Sequence, residues 1–451
     1  MQVAKNIALT YQAQGGQGLS LSNIRPKGAQ ISSGYPSDGI IPFMEIFNTV
    51  TQNVSQSNSR RGALMMSIDV EHPQVEDFIT IKSTLDKINN ANLSVEIGDT
   101  FMQKVQQYYD TGIESTYKIP NRFKGGNPDG YEVNPSKLYK LIMKHAHNNA
   151  EPGVMFMNRF SKYNLMELVD DYVIHTSNPC GEQPLPASGA CCLSSINISE
   201  YVVNPYTENA VIDFKQLDSD MYIYVKAMDD IVSEGSNLHA LQEQRDFALK
   251  YRNIGIGIMG LGDAFIKLGV KYGDDQSKYI TRKLSEILFR AAVKASSRLA
   301  KERGTFSAYD ERMWESTIMT NHFSPEEIAE MKPFGLRNSS LLSVAPTGSI
   351  GTMLAISTGV EPWFAISYKR KTVSLHKDKE EYYDVLAPVV AECKAKGGHM
   401  DAVVTSAEIN WKDRIDIQAA LQNGIDTAIS STINLPRETT VEEIEQLYLY
   451  A

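Results

Sequence analysis

Cysteine is scarce in this chain, with four residues among 451. So few thiols do not form the disulfide scaffold of a small secreted protein. The chain also lacks any apolar run near the ~20 residues that a membrane-spanning helix needs. Residues 1–6 lack the charged and apolar parts of a secretory signal. These absences predict a cytoplasmic protein without a membrane span, in which clustered cysteines are more often catalytic or metal-binding.

Positive charge is in deficit as well, because 44 Lys and Arg face 54 Asp and Glu, which gives a net charge of −10. Non-specific nucleic-acid binding needs a cationic surface that displaces counterions. The composition therefore argues against a nucleic-acid partner. An anionic ligand would have to be held locally, by backbone N–H groups or by a few placed Arg and Lys side chains.

The pattern of apolar residues predicts an α/β fold. The hydrophobic content of 42% is ample for a large core, and the length fits two or three domains or one long α/β barrel. Strand-like segments lie at 63–68, 93–97 and 341–345. Segments of helical periodicity lie at 101–109, 135–149, 274–303 and 442–451. Their alternation favours a substantially parallel sheet, and neither an internal repeat nor a sharp domain boundary interrupts it.

What cysteine there is lies close together, since Cys180, Cys191 and Cys192 fall within thirteen positions. Residues 178–182 read Asn-Pro-Cys-Gly-Glu, and in an extended or loop-tip backbone Asn178, Cys180 and Glu182 would point to one side. The carboxylate can take a proton from a substrate hydroxyl, and the carboxamide can donate and accept hydrogen bonds. A neighbouring carboxylate raises a thiol pKa. The pattern therefore favours a neutral thiol over a thiolate nucleophile, with a buried structural cysteine as the alternative.

The pair Cys191-Cys192 admits three explanations. A zinc site is poorly supported, because no Cys-x2-Cys pair exists and the eight histidines are scattered. A stable disulfide is disfavoured by the expected compartment. A redox-active thiol near Cys180 is the third explanation, and spacing alone does not choose among them.

Two loops could hold phosphate. Residues 346–351 form a glycine-containing turn between a predicted strand and a helix beginning near Ile350, where N–H groups meet the positive end of the helix dipole. Arg25 and Lys27 flank a polar loop that could hold a second phosphate group. An ordinary tight turn and a solvated surface loop are the respective alternatives. Tyr448 and Tyr450 near the C-terminus raise the question of a redox role. Their positions on the predicted last helix favour a packing role instead.

Together these segments resemble the catalytic subunit of ribonucleotide reductase. The resemblance runs in the family's order from about residue 10 to about residue 440. The resembling segments are the finger-loop motif at 178–185, the redox-cysteine segment at 191–197, a core segment at 251–257, and the substrate-phosphate loop at 345–350 with its continuation at 357–362.

The resemblance implies a ten-stranded α/β barrel, cut short at both ends, with the finger loop at its centre. Cys180 would become a thiyl radical that abstracts the 3′-hydrogen of a ribonucleotide. Glu182 would take the 3′-hydroxyl proton, Asn178 would orient the substrate, and Cys191 would supply one of two reducing thiols, while Cys192 would serve packing. Thr347, Gly348 and Ser349 would bind the substrate phosphates.

The resemblance also implies an effector nucleotide at a homodimer interface. Arg25 and the loop from Lys27 to Gly39 resemble one effector-binding loop. The segment from Asp86 through Lys87 to Asn92 resembles the loop that relays effector identity to the substrate. The residues expected to contact the effector are therefore Arg25, Lys27, Asp86 and Lys87.

Two radical sources occur in this family, adenosylcobalamin and a separate metal-containing subunit. The finger-loop form, the Cys180-to-Cys191 spacing and residues 430–436 resemble the adenosylcobalamin class more closely. A class with a separate radical-generating subunit and a non-catalytic, nucleotide-binding regulatory homologue are the alternatives.

The family's second reducing cysteine and its C-terminal tail have no counterpart here. We therefore expect residues 1–451 to be one partial barrel domain that does not turn over repeatedly alone. An external dithiol such as thioredoxin and a complementary fragment with the missing cysteines would complete it.

Overall fold

The computed structural model describes residues 1–54, 62–83, 87–190, 192–373 and 380–451. The chain divides into two compact units. The first unit comprises Met1–Ser161, Ile174–Pro179 and Glu438–Ala451, and the second comprises Lys162–Val173 and Cys180–Arg437.

Short strands alternate with helices along the chain, as the sequence predicts. The strands are β1 (Gln17–Ser20), β2 (Leu64–Asp69), β3 (Asn92–Ile97), β4 (Tyr117–Ile119), β5 (Tyr131–Val133), β6 (Gly153–Phe156), β7 (Thr176–Ser177), β8 (Pro184–Leu185), β9 (Leu193–Asn197), β10 (Val202–Val203), β11 (Val211–Ile212), β12 (Gly255–Met259), β13 (Ser367–Val373) and β14 (Glu380–Leu386).

The helices separate most of these strands. They are α1 (Gln2–Gln12), α2 (Ile41–Asn53), α3 (Val75–Thr80), α4 (Asp99–Thr111), α5 (Pro135–Asn149), α6 (Met157–Lys162), α7 (Phe214–Gly235), α8 (Gln242–Tyr251), α9 (Leu261–Leu268), α10 (Asp275–Arg303), α11 (Thr317–His322), α12 (Pro325–Met331), α13 (Gly348–Leu354), α14 (Pro388–Ala395), α15 (Trp411–Gln422) and α16 (Val441–Tyr450). Short 3-10 turns lie at Ile81–Ser83, Ile198–Tyr201, Ser236–Leu238, Glu311–Glu315 and Met400–Ala402.

The first unit contains a four-stranded parallel sheet in the order β1-β2-β3-β6. Parallel neighbours need crossover connections, and helices α2, α3, α4 and α5 lie in these connections. Strand β2 is a continuous buried run from Leu64 to Ile68, as expected of a strand that is covered on both faces. The predicted strands at 63–68 and 93–97 are confirmed as β2 and β3.

Helix α16 also belongs to the first unit. The Tyr139 hydroxyl donates to the carbonyl of Glu445 at 2.5 Å, and the Tyr109 hydroxyl donates to the Glu445 carboxylate. Tyr448 is half-buried, whereas Tyr450 is about half exposed. The predicted C-terminal helix is confirmed, and packing accounts for Tyr448 better than for Tyr450.

Parallel pairing also builds the second unit. Strands β9 and β12 pair in parallel, with Ile256 opposite Ser194. On the other side, Ile256 forms a parallel bridge with Leu342, and Val344 forms one with Ile429. The predicted strand at 341–345 is thus present as two single bridges and not as a continuous ladder.

Helix α10 confirms the longest prediction. Asp274 caps its first turn by accepting the Ser277 N–H at 2.7 Å. Gly304 follows its last residue with φ +83°, and its N–H donates to the Ala300 carbonyl. Buried residues such as Leu284, Leu288 and Leu299 place one face of α10 in the main core of the second unit.

A fully buried carboxylate, Asp229 on α7, ties several segments of the second unit together. Arg252 donates to Asp229 Oδ1 at 2.8 Å, Arg303 donates to Oδ2 at 3.0 Å, and Arg337 donates to both oxygens at 3.2 Å. Asn338 Nδ2 adds a contact to Oδ1 at 3.4 Å. These cations come from the ends of α8 and α10 and from the loop before 341–345, so one carboxylate connects three parts of the unit.

Replacing Asp229 by Asn should lower the free energy of unfolding by about 3–5 kcal/mol, because it leaves buried guanidinium groups without their counter-charge. Urea unfolding followed by circular dichroism measures this loss. The neighbouring Asp230, whose side chain is half exposed and pairs with Lys226 and Arg303, provides the matched control. Asp230→Asn should cost about 1 kcal/mol or less. Equal losses for the two variants would contradict a special role for the buried carboxylate.

Candidate active site

Cys180 and Glu182 lie in one turn of the second unit. Cys180 is exposed, whereas the Glu182 side chain is buried, with 2% of its surface accessible. Gly181 between them has φ +85°, a left-handed conformation that glycine adopts without steric cost. The backbone is therefore a turn here, which is the loop-tip form of the prediction and not the extended one. Convergence of Asn178, Cys180 and Glu182 on one ligand stays a prediction.

The Glu182 backbone is held from two sides. Its carbonyl accepts the Ala428 N–H at 3.1 Å and the Ser343 hydroxyl at 2.9 Å. Both donors are buried, and they lie in the two segments that bridge at Val344 and Ile429. The turn that carries Cys180 is thereby anchored on the interior of the second unit.

Two glycines of β12 make room for this turn. A Cβ on Gly255 would lie 2.5 Å from the Gln183 amide nitrogen and 2.8 Å from the Ser343 Cβ. A Cβ on Gly257 would overlap the Ser343 carbonyl oxygen. Glycine at alternate positions of a buried strand marks close approach of another backbone. That spacing in residues 251–257 was a usable signal in the sequence.

The segment that follows Cys191 lies beside β12. The Gly255 N–H donates to the Cys192 carbonyl at 2.8 Å, and the buried Asn253 side chain donates to the Ala190 carbonyl at 2.8 Å. Cys192 is half-buried against the main core, which agrees with the expected packing role, and burial raises its thiol pKa to about 11. Cys191, the expected redox thiol, lies outside the described residues. Cys192 and Cys393 form no disulfide.

Asn178 belongs to the first unit, where it follows β7. The Ser177 hydroxyl donates to Asn178 Oδ1 at 3.2 Å. A Cβ on Gly18 of β1 would overlap the Ser177 carbonyl oxygen, so β1 and this segment approach closely. Asn92 Nδ2 donates to the Pro179 carbonyl at 3.3 Å. The segment around Asn178 thus lies against the backbone of β1 and accepts a side-chain hydrogen bond from β3.

The predicted phosphate turn begins helix α13 two residues earlier than expected. Thr347 has φ +49° and precedes Gly348, the first helical residue. Gly348 and Ser349 are exposed, as a phosphate site requires. The Thr347 hydroxyl oxygen accepts the Gly359 N–H at 2.8 Å. Thr347 therefore joins the phosphate turn to the loop that continues at 357–362.

A buried ion pair missed by the sequence analysis supports that second loop. Arg414 on α15 donates to both Glu361 oxygens, at 3.0 and 2.6 Å, and to the Ser431 hydroxyl at 3.2 Å. Glu361 also accepts the Thr432 N–H at 3.2 Å. The pair links 357–362 to 430–436. Because the partners are distant in sequence, local pattern gave no signal for it.

The effector-loop candidates lie in the first unit. Arg25 is half-buried with Nη1 3.5 Å from the Gln30 carbonyl, whereas the side chains of Lys27 and Lys87 are exposed. Asp86 lies outside the described residues. The Asn90 N–H donates to Asn48 of α2 at 2.9 Å, so the segment after Lys87 contacts the helix that follows the loop of Arg25 and Lys27.

Gln74 anchors both ends of that loop. Its Oε1 accepts the Lys27 N–H at 2.9 Å and the Ile40 N–H at 3.1 Å. Gln74 is itself held by His72, whose Nδ1 accepts the Gln74 N–H at 3.1 Å. The His72 Nε2 lies 3.0 Å from the Ile24 carbonyl. His72 is buried, and burial lowers its pKa, so the neutral ring suits both contacts.

Neither a metal site nor a membrane span stands out in the part of the chain that the structure describes. No group of three or more His, Cys, Asp or Glu side chains there is arranged to hold a metal ion. Within the same residues, no helix has the length and apolar character needed to cross a bilayer.

The fold and the residues of this site can be compared with known proteins. The ribonucleotide reductase barrel domain matches residues 1–451, so the chain belongs to that family. It is 30% identical over its whole length to the vitamin B12-dependent ribonucleoside-diphosphate reductase of Thermoplasma acidophilum, covering 57% of that protein. It is also 30% identical to the vitamin B12-dependent ribonucleoside-diphosphate reductase of Mycobacterium tuberculosis H37Rv, over 98% of this chain and 61% of the relative.

The structure gives a matching picture of the fold. It resembles the class Id ribonucleotide reductase alpha subunit of Actinobacillus ureae, with a TM-score of 0.73 at 19% identity, over 99% of this chain and 77% of that chain. This likeness confirms an α/β fold of the ribonucleotide reductase type. The chain spans about three fifths of the length of the two vitamin B12-dependent relatives.

Gly257→Ala should lower the free energy of unfolding by about 3 kcal/mol or more, because a methyl group would push against the Ser343 backbone. Thermal and urea unfolding measure the change. Gly235→Ala is the matched control, since a Cβ there meets nothing within 4 Å and its φ is negative. The control should be neutral or stabilising by up to about 1 kcal/mol. A Gly257→Ala variant as stable as the control would refute the close approach.

The lowered pKa of His72 predicts a pH dependence of stability. Below the ordinary pKa of 6.5 the unfolded chain binds a proton that the folded His72 resists. The contribution of His72 is therefore fully present above this value and is lost as pH falls through it. His72→Gln should flatten the fall in unfolding midpoint between about pH 7 and pH 5. An unchanged slope in His72→Gln would contradict the assignment.

Proposed function

We propose that this chain forms the catalytic barrel of a cytoplasmic enzyme that reduces ribonucleoside di- or triphosphates to 2′-deoxyribonucleotides through a thiyl radical on Cys180. The observation that carries the proposal is the exposed Cys180 on a turn whose Glu182 is buried and anchored by Ser343 and Ala428. The family match over the whole chain supports it.

Each residue then has one step. The Cys180 thiyl takes the 3′-hydrogen atom of the ribose, and Glu182 takes the 3′-hydroxyl proton, which assists loss of the 2′-hydroxyl as water. Asn178 orients the substrate by hydrogen bonding. Cys191 and its partner thiol supply the two electrons and two protons of the reduction and become a disulfide, and the hydrogen atom held by Cys180 returns to C3′, which restores the thiyl radical.

The phosphates are assigned to Thr347, Gly348 and Ser349. The exposed start of α13, where Gly348 and Ser349 lie, supports this, since the positive end of a helix dipole favours an anion. The Thr347 hydroxyl already accepts the Gly359 N–H, so its remaining proton serves as the donor to phosphate. Thr347 would both shape the turn and contact the ligand.

Adenosylcobalamin is the proposed radical source, as the names of the two relatives suggest. When bound, it supplies the one-electron chemistry that removes the hydrogen atom from the Cys180 thiol. The exposed position of Cys180 fits such a source, because the thiol is accessible from outside its own unit's core. We assign no residue of this chain to holding the cofactor. An external dithiol such as thioredoxin would restore the reducing cysteines.

The wider assembly belongs to the same proposal. Residues 1–451 would be most of a single ten-stranded barrel with a central finger loop, supported by the parallel strands found in each unit. An effector nucleotide would contact Arg25, Lys27, Asp86 and Lys87 at a homodimer interface. The Gln74 anchor supports a shaped loop at Lys27. A complementary fragment would supply the second reducing cysteine and the C-terminal cysteine pair.

Cys180→Ala should abolish deoxyribonucleotide formation, while Cys192→Ala should retain most of it, because only Cys180 carries the radical. The assay joins this chain to the N- and C-terminal flanks of the Thermoplasma acidophilum relative and supplies ribonucleotide, dithiol and adenosylcobalamin. Product is measured by chromatography. Equal losses for the two variants would overturn the separation of their roles.

The same assay distinguishes the alternatives. Product with a metal-containing radical subunit but not with adenosylcobalamin would replace the cofactor assignment. No product under either condition, combined with nucleotide binding by equilibrium dialysis, would favour a regulatory homologue.

A further inference from the structure

The position of Glu182 depends on two neighbouring segments of the second unit. One is 341–344, which contributes the Ser343 hydroxyl to the Glu182 carbonyl. The other is 426–430, which contributes the Ala428 N–H. If these segments separated, the carbonyl could not keep both donors, and the Glu182 side chain would move with its backbone.

Asp426 joins the two segments immediately before the donors. Its carboxylate accepts the Leu341 N–H at 2.9 Å and the Leu342 N–H at 2.7 Å, one on each oxygen. The next residue repeats the link in the opposite direction, since the Thr427 hydroxyl donates to the Leu342 carbonyl at 2.7 Å. Ser343, the first donor to Glu182, directly follows Leu342, whose N–H Asp426 accepts. Ala428, the second donor, lies two residues after Asp426 itself.

The contacts of Asp426 and Thr427 with Leu341 and Leu342 form a clamp between the two segments. Beyond Ser343 and Ala428 the segments continue as ordinary strand pairing. The Val344 N–H donates to the Ala428 carbonyl at 3.1 Å, and the Ser430 N–H donates to the Val344 carbonyl at 2.9 Å. At Leu341 and Leu342 the carboxylate of Asp426 takes the place that strand carbonyls would fill. This explains why 341–345 forms single bridges and not a ladder.

A carboxylate is a costly choice for this position. Asp426 is fully buried, and burial raises the pKa of its carboxyl to about 7, although the two backbone N–H donors act against the rise. A buried carboxyl group whose surroundings disfavour its ionised form reduces the stability of the folded chain. The short Asp side chain presents two acceptor oxygens at the spacing of two consecutive backbone N–H groups. This match indicates that Asp426 serves to position the backbone.

We propose that Asp426 is a positioning residue that holds the 341–344 and 426–430 segments in register so that Ser343 and Ala428 fix the Glu182 backbone. The inference rests on the proposed role of Glu182 as the group that accepts the 3′-hydroxyl proton. Asp426 acts through the two segments and not by contact with substrate.

The first test measures the protection of backbone amides and does not require an active enzyme. Hydrogen exchange of the 341–344 and 426–430 backbone amides is compared between the wild-type chain, Asp426→Asn and Ser285→Ala. Asp426→Asn turns one acceptor into a donor facing a backbone N–H, so exchange should rise in both segments. Ser285 is the matched control, because its hydroxyl bonds Leu421 and Gly424 of the same connection without reaching the Glu182 donors. Its loss should leave exchange at 341–344 unchanged.

The second test measures turnover in the active enzyme defined above. Asp426→Asn should lower kcat by about tenfold to a hundredfold with KM nearly unchanged, since misplacement by about 1 Å can cost a hundredfold. Ser343→Ala should lower kcat in the same way, and the double variant should lose less than the product of the two losses, because both act on one carbonyl. Asp426→Glu, which keeps both acceptor oxygens, should recover part of kcat.

The outcomes separate this inference from the proposed function. Inactive wild-type enzyme would count against the proposed function, while the exchange data still judge the clamp. Unchanged exchange at 341–344 in Asp426→Asn would overturn the clamp. The positioning role would be overturned if Asp426→Asn lost no more kcat than Ser285→Ala at equal stability. It would also be overturned if the losses of Asp426→Asn and Ser343→Ala multiplied fully in the double variant.

Discussion

The close approach of backbones around β12 is the constraint on which the second unit depends. Gly255 and Gly257 remove side chains where Gln183 and Ser343 lie against the strand. This allows the 341–344 segment to pair on one side of β12 while β9 pairs on the other. The turn with Cys180 and Glu182 can then reach donors on two interior segments. Side chains crowd Gly255 and backbone atoms crowd Gly257, so the tolerance of this interior for added volume is small.

Buried charges hold the outer parts of the same unit. Asp229 gathers three guanidinium groups from separate segments, and the Arg414–Glu361 pair links the two loops at 357–362 and 430–436. Such pairs contribute little net stability compared with apolar packing, but breaking them is costly. They favour one arrangement of loops over others. Rigid loops are what a site needs if it is to hold a reactive group in one place.

Local pattern predicted the elements whose signal lies in their own residues. Strand β2 was visible as an apolar run, and α10 was visible from its periodicity and from Gly304. The 178–182 motif marked the turn that carries Cys180 and Glu182, and the conformation of this turn depends on Gly181. The 341–345 prediction was only partly correct, because the N–H groups of Leu341 and Leu342 bind the side chain of Asp426, 85 and 84 residues away. Contacts at that separation leave no periodic trace, which is why Asp426, Gln74 and Arg414 were all missed.

The single amide of Gln74 has a further consequence for the loop that it anchors. Lys27 and Ile40 are both held by one side-chain oxygen, so the two ends of the loop meet at a fixed point. Once the ends are joined, the entropy of closing a loop grows only with the logarithm of its length. Insertions or deletions near the exposed Tyr35 therefore change the closure entropy little. The tip can therefore change in length and sequence while the base, held by Gln74, keeps one geometry.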